Sequence, residues 1–141
     1  MRRAPGAVLP LVLTVLLIIA AASFAMSFKV TLDTLAARSA LTAAQARAQA
    51  AAGLALAVAE RHAAVAAGSK PSPAHGPWPQ HGVAATVSVT EAGTLAVPAG
   101  DGALETVTVV RLDARATVGS ATAAVGVTLY FGPELVVLER R

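Results

Sequence analysis

The sequence predicts an α+β fold: a long N-terminal hydrophobic α-helix, transmembrane and then amphipathic, packed on a C-terminal antiparallel β-sheet of four or five strands. Three observations predict it. Residues 7–27 contain no Asp, Glu, Lys, Arg or His. Residues 28–67 are alanine-rich and free of proline. From Val83 onward the apolar period changes from helical to two.

The uncharged run is the organising element. About twenty residues at ~1.5 Å of rise span ~30 Å, the thickness of a bilayer's hydrocarbon core. Within that layer a helix satisfies every backbone N–H and C=O internally. Arg2 and Arg3 precede the run and Lys29 follows it, which predicts a cytoplasmic N-terminus by the positive-inside bias. Three roles compete for the segment: a cleaved secretory signal, a permanent signal anchor, or a pilin-type N-terminal helix. The run exceeds the apolar region of an ordinary signal, although Ala20–Ala25 offers small residues to a signal peptidase. Pro10 fits the first turn of a helix starting at Ala7, where its missing N–H costs little. A helix that simply begins near Pro10 accommodates it equally well.

Composition bounds the remainder. The chain has 141 residues, 55% hydrophobic and 13% charged. About 110 residues follow the leader and span, enough for one small domain. Aromatics make up 4%, so the core has to be built from Val, Leu and Ala. The absence of cysteine excludes disulfides and thiolate metal sites. Without Arg2 and Arg3 the formal charge of +3 falls to near neutrality, so nucleic acid is not indicated as a partner.

Residues 28–67 are expected to continue the helix. Phe28, Leu32 and Leu35 follow a 4,3 spacing, Leu54, Val58 and Val65 form a second stripe, and Arg38, Thr42, Gln45 and Gln49 share a polar face. The small residues between Ala43 and Ala52 form a surface for close approach, either to the helix's own domain or to another helix. Gly53 is a weak point, about 1 kcal/mol worse than alanine. Gly68 ends the helix, and residues 68–82 read as a linker holding four of the eight prolines. Such a linker is expected neither to form regular helix nor to enter a sheet. His62, His75 and His81 lack a nearby carboxylate or thiolate in the linker, so no metal site is expected. Trp78 is expected to fold back onto the domain or meet a neighbouring subunit.

Beyond the linker, Val83, Ala85, Val87 and Val89 alternate as a one-sided strand. Thr94–Val97 reads as a short strand ended by Pro98, and Gly100-Asp101-Gly102 as a hairpin turn. In the long strand Leu104–Val118, Arg111, Asp113 and Arg115 line one face and Val110, Leu112, Ala114 and Ala116 the other. Val107 and Val109 fall out of phase, which predicts a bulge near Val109–Val110. Ala121 to Phe131 alternates again, Gly132-Pro133 breaks the chain, and Leu135–Leu138 is a last strand. The second half of the helix is the natural cover for the meander's apolar face. The Arg111-Asp113-Arg115 row projects from one side of the sheet, as a binding site would and as a solvated face also does, and the solvated face is the favoured expectation.

Chemistry-bearing motifs are missing from the sequence. It has no Gly-rich phosphate loop, no Gly-x-Ser-x-Gly elbow and no His-Glu-x-x-His, and its eight carboxylates are scattered. No catalytic residue, cofactor or metal is expected, and the chain does not read as an enzyme.

The order of parts resembles a type IV pilin-like protein. The features that carry the likeness are the basic leader of residues 1–6 ending at Gly6, the Ala7-Val8-Leu9 start of the hydrophobic helix, the unbroken continuation, and the C-terminal sheet. Ala-Gln-Ala-Ala-Ala-Gly-Leu-Ala-Leu at 48–56 is similar to the helix of PilX-type minor pilins. The resemblance implies cleavage by a prepilin peptidase between Gly6 and Ala7, and methylation of the new amine. It also implies a filament-core helix over residues 7–27, including Val8, Leu9, Pro10, Leu11, Leu13, Val15, Leu16, Leu17, Ile18, Ile19 and Phe24. The implied parts are therefore a leader (1–6), a core helix (7–27), its amphipathic continuation (28–67), a linker (68–82) and a sheet head (83–141). Major pilins carry glutamate at the fifth mature position, whereas Leu11 stands there, which favours a minor pilin or pseudopilin. Implied partners are other pilin subunits, the prepilin peptidase, an inner-membrane assembly platform and, before assembly, inner-membrane lipid. The implied location is the bacterial inner membrane with the sheet domain outside, then a surface or periplasmic filament. The machine would be a type IV pilus, a type II-like secretion system or a DNA-uptake apparatus. The alternative is a single-span envelope protein with a small β-rich interaction domain.

Overall fold

The computed structural model describes residues 8–98, 102–131 and 135–140. The leader and the Gly6–Ala7 junction lie outside them, as do Asp101 of the expected hairpin turn and the Gly132-Pro133 break. The fold is α+β, as expected. Helix α1 covers Val8–Ala66. A five-stranded antiparallel sheet in the order β1-β2-β3-β4-β5 follows, with β1 at Ala74–His75, β2 at Thr86–Pro98, β3 at Leu104–Val118, β4 at Ala121–Phe131 and β5 at Leu135–Arg140. By compactness the chain divides into two units, Met1–Ala40 and Leu41–Arg141.

The first unit is helix alone among its described residues. Its apolar side chains are exposed, from Leu9 (68%) through Ile18 (60%) and Phe24 (75%) to Leu35 (55%). The Thr14 hydroxyl donates to the Pro10 carbonyl, an oxygen that the first turn would use anyway.

The second unit has one core. It is formed by Ala50, Leu54 and Ala57 of α1, Trp78 and Val83 of the linker region, and Ala85, Val87, Val110, Leu112, Ala114, Ala116, Val127 and Leu129 of the sheet side. The alternations read from the sequence reappear: Leu112, Ala114 and Leu129 are fully buried, whereas Arg111 and Arg115 are exposed. The helix supplies small residues to this contact. Ala46, Ala50 and Ala57 are fully buried. At Gly53 a Cβ would stand 2.5 Å from the Cβ of Ala85 and 3.4 Å from Cζ3 of Trp78. The residue that weakens the helix locally is thus the one that lets the chain after the linker lie against it. Among the small residues of 43–52, Ala46 and Ala50 are taken up by the helix's own domain.

The helix ends as Gly68 predicts. The Ser69 N–H bonds the Ala64 carbonyl at 2.8 Å and the Gly68 N–H that of Val65 at 3.0 Å, with Gly68 at φ +66°. This double closure requires a left-handed residue, which glycine adopts without strain.

Three expectations need correction. The linker does enter the sheet: Ala74 and His75 pair with Ser88 and Val87 at its edge, and Pro79–His81 forms a short 3₁₀ turn. An edge strand needs donors on one side only, so flanking prolines are compatible with it. The two strands expected at Val83–Val89 and Thr94–Val97 are one, β2, starting at Thr86. The bulge stands at the expected height but on the partner strand. The β2–β3 register shifts between Glu91 and Gly93, opposite Val110 and Val109, while β3 pairs regularly with β4 there. Gly93, at φ +136°, absorbs the kink.

Packing at Gly53 generates a prediction. Gly53→Val would force the helix off Ala85 and Trp78, an overpacking cost of about 1–3 kcal/mol. Ala55→Val, on the exposed side of the same turn, is expected to cost a few tenths of that, through helix propensity only. Urea unfolding of the detergent-solubilised chain, followed by Trp78 emission, compares the two.

Candidate functional site

Two surfaces and one polar cluster are candidates. The first surface is the exposed helix of the first unit. It contains the one helix among the described residues that is long and apolar enough to cross a membrane. The sequence-predicted core-helix residues Leu9, Leu11, Leu13, Val15, Leu16, Leu17, Ile18, Ile19 and Phe24 are all at least 49% exposed. Pro10 lies in the opening turns of α1, where its missing N–H is tolerated. Exposure does not stop at residue 27. Phe28, Val30, Leu32 and Leu35 stay between 49% and 58% exposed.

The cluster joins helix to linker. The Glu60 carboxylate accepts the indole N–H of Trp78 at one oxygen, and the other lies 2.9 Å from Nδ1 of His75. The His75 side chain is 7% exposed, and its Nε2 is buried without a partner. Trp78, the only tryptophan, is 4% exposed. Burying a ring of that size is worth about 5 kcal/mol before entropy losses. Nearby, Gln49 reaches the linker's end with both ends of its amide, donating to the Gly82 carbonyl and accepting from the Ala84 N–H, each at 3.1 Å. Arg61 donates to the Ser72 carbonyl at 3.1 Å. Burial lowers the Arg61 pKa, with the Glu91 carboxylate opposing.

Sequence reasoning placed Gln49 only on a polar helix face and missed Glu60 altogether. Its signal was there: Glu60 is the sole carboxylate in α1 beyond Asp33, on the helix segment that covers an indole needing an acceptor. The three histidines do not converge. His75 is on Glu60, whereas His62 and His81 are exposed. Among the described residues, no three metal-ligating side chains come together.

The second surface is the sheet face away from α1. There Arg111 Nε donates to both Asp113 oxygens, at 2.9 and 3.1 Å, in an exposed pair. Gly126, the cross-strand partner of Asp113, leaves room for it: a Cβ there would meet Asp113 Oδ1 at 2.7 Å. Thr86, Ser88 and Arg115 complete an open hollow of about 610 Å³. An exposed pair of this kind contributes about 0–1 kcal/mol. Ala74 and His75 of the edge strand, with Gly76 after it, line the hollow as well, and the exposed Arg111–Asp113 pair reads as part of a solvated face.

No protein-family model, curated protein or solved structure matches this chain. The reading of its role therefore rests on the geometry above.

Glu60 carries a pH prediction. The Trp78 N–H holds its carboxyl below the usual range, opposed by burial and assisted by the smaller effects of His75 and His81. A depressed folded-state pKa stabilises above the unfolded carboxylate value and ceases to do so as pH falls through the folded value. Acidification is therefore expected to loosen the linker and shift Trp78 emission to the red. Glu60→Gln should lower stability at neutral pH and flatten that acid limb. An unchanged acid limb in the variant refutes the assignment.

Proposed function

We infer that the single N-terminal apolar helix followed by a small β-sheet domain suits a membrane-anchored protein. We propose that this chain is a filament subunit, a minor pilin or pseudopilin of a type IV pilus, a type II-like secretion filament or a DNA-uptake filament. The observation that carries the proposal is the length of the exposed apolar stretch. Residues 9–27 already match the ~30 Å of a bilayer core, yet Phe28, Val30, Leu32 and Leu35 continue the exposure beyond it. A plain anchor has no use for apolar surface beyond the lipid. A helix that leaves the membrane to pack among copies of itself does. Burial of apolar area is worth about 25 cal/mol per Å², so even modest helix–helix contacts over this stretch amount to several kcal/mol.

In this reading the inner membrane holds the subunit before assembly, and a prepilin peptidase removes residues 1–6 and exposes Ala7. An assembly platform then moves the helix into a bundle of other subunits. Leu11 at the fifth position supports a minor component. The sheet domain works by contact; catalysis has no place in the proposal.

Two measurements test it. N-terminal sequencing of the membrane and sheared-filament fractions should return a methylated Ala7. An intact Met1, with the chain absent from filaments made by the same cells, would leave the single-span envelope protein as the correct reading. The anchor itself is tested by Leu16→Arg with Ile19→Arg. Each arginine near the centre of a membrane helix costs about 2.5–3.5 kcal/mol on insertion scales, so the double variant should pass from the membrane to the soluble fraction.

A further inference from the structure

The helix of the first unit changes character just past the uncharged run. Residues 28–40 are helical and exposed throughout. At about 3.6 residues per turn, Phe28, Leu32 and Leu35 fall on one side of α1, and Val30 and Ala37 on the opposite side. The large apolar side chains on both sides are exposed, from Leu32 at 49% to Phe28 at 58%. The hydroxyls of this stretch are taken up by the helix's own backbone. Thr31 donates to the Ser27 carbonyl at 3.0 Å, and Thr34 and Ser39 donate to those of Thr31 and Ala36, each at 2.8 Å. Hydroxyls bonded in this way can leave water without an unmet polar group.

Two charges are not provided for. Lys29 and Asp33 lie one turn apart, along a line between the two apolar sides. Both are exposed, and neither side chain has an ion-pair or hydrogen-bond partner among the described residues. Lysine preceding its acid is the weaker order for a pair within one helix. Asp33 is also the only carboxylate in residues 1–59, and an acid in an apolar stretch needs a cation wherever that stretch is buried. A layer of lipid phosphates would receive Lys29 and repel Asp33. The sheet does not cover this stretch either, since the buried residues of α1 begin at Ala46.

We propose that residues 28–37 pack against the same residues of a second, parallel copy. The Val30 and Ala37 side of one copy meets the Phe28, Leu32 and Leu35 side of the next, and Asp33 of the first pairs with Lys29 of the second. The choice of a second copy rests on the filament reading, and the parallel direction follows from anchors inserted the same way round. Level copies would set acid beside acid. A shift of one turn, about 6 Å, brings Asp33 to the height of the neighbour's Lys29, so the charges fix the stagger. Because the two sides differ, each copy remains open to a further one and the contact propagates.

The chain lacks cysteine, which makes the test direct. Two differently tagged full-length copies, one with Ala37→Cys and one with Leu32→Cys, are co-expressed and oxidised in cells, and membranes and sheared filaments are probed for the mixed dimer. All substituted positions are exposed, so the core of the sheet unit is untouched. The expected result is a 37–32 adduct that is lost when Asp33→Lys joins Ala37→Cys and restored when Lys29→Asp joins Leu32→Cys. In the restored combination neither copy can pair the two positions within its own helix. An adduct indifferent to Asp33→Lys, or not restored by Lys29→Asp, overturns the proposal, as does a 32–32 adduct in place of the mixed one. Filaments that contain both copies without the adduct overturn this contact and keep the filament. Uncut chains that form the adduct yet never enter filaments keep the contact and overturn the filament. Loss of both adduct and filament overturns both.

Discussion

The close approach of α1 to the start of the sheet is the constraint on which the second unit depends. Between Ala46 and Ala57 the buried side of the helix is mostly small residues, Ala46, Ala50, Gly53 and Ala57, with Leu54 buried among them and Leu56 partly buried against the same core. Ala85 sits where a side chain on residue 53 would otherwise be. At Gly53 the helix and the chain entering β2 meet with little more than the Ala85 methyl between them, and the core around that point is built largely of Ala, Val and Leu. Trp78 is the exception in size, and it fills the corner where helix, linker and β2 come together.

That corner explains why a proline-rich segment is held so firmly. Groups on α1 hold it: Gln49 and Arg61 bond its backbone at Gly82–Ala84 and at Ser72, and Glu60 bonds the side chains of His75 and Trp78 between them. The backbone bonds replace ones that an irregular turn does not make for itself. The edge strand Ala74–His75 follows from this, since a segment pinned at both ends beside β2 has its free carbonyls and amides already aligned with those of the sheet.

Much of this was legible from residue order. The uncharged run, the glycine that stops the helix, and the alternations through Val110–Ala116 and Ala121–Leu129 rest on local periodicity, and periodicity survives folding. What was not legible depends on partners distant in sequence. Ala74-His75 carries no strand signal, because its pairing is set from outside by Glu60 and Val87. The phase slip of Val107 and Val109 was visible, but its cause lies in an extra residue on the facing strand. Glu60 looked like one of several scattered acids, and only the fold brings an indole and an imidazole to it. The Arg111-Asp113-Arg115 row was read as solvated, and its exposed pairing agrees.

The kink at Ala92–Gly93 also bears on what the protein avoids. From Thr90 to Pro98, β2 has no neighbour on its outer side among the described residues, and a flat run of open amides and carbonyls invites any stray extended chain to zip onto it. An inserted residue coils the hairpin and breaks its even hydrogen-bond spacing, and Pro98 withholds a donor at its end. A hairpin shaped this way denies its backbone to amyloid-like growth.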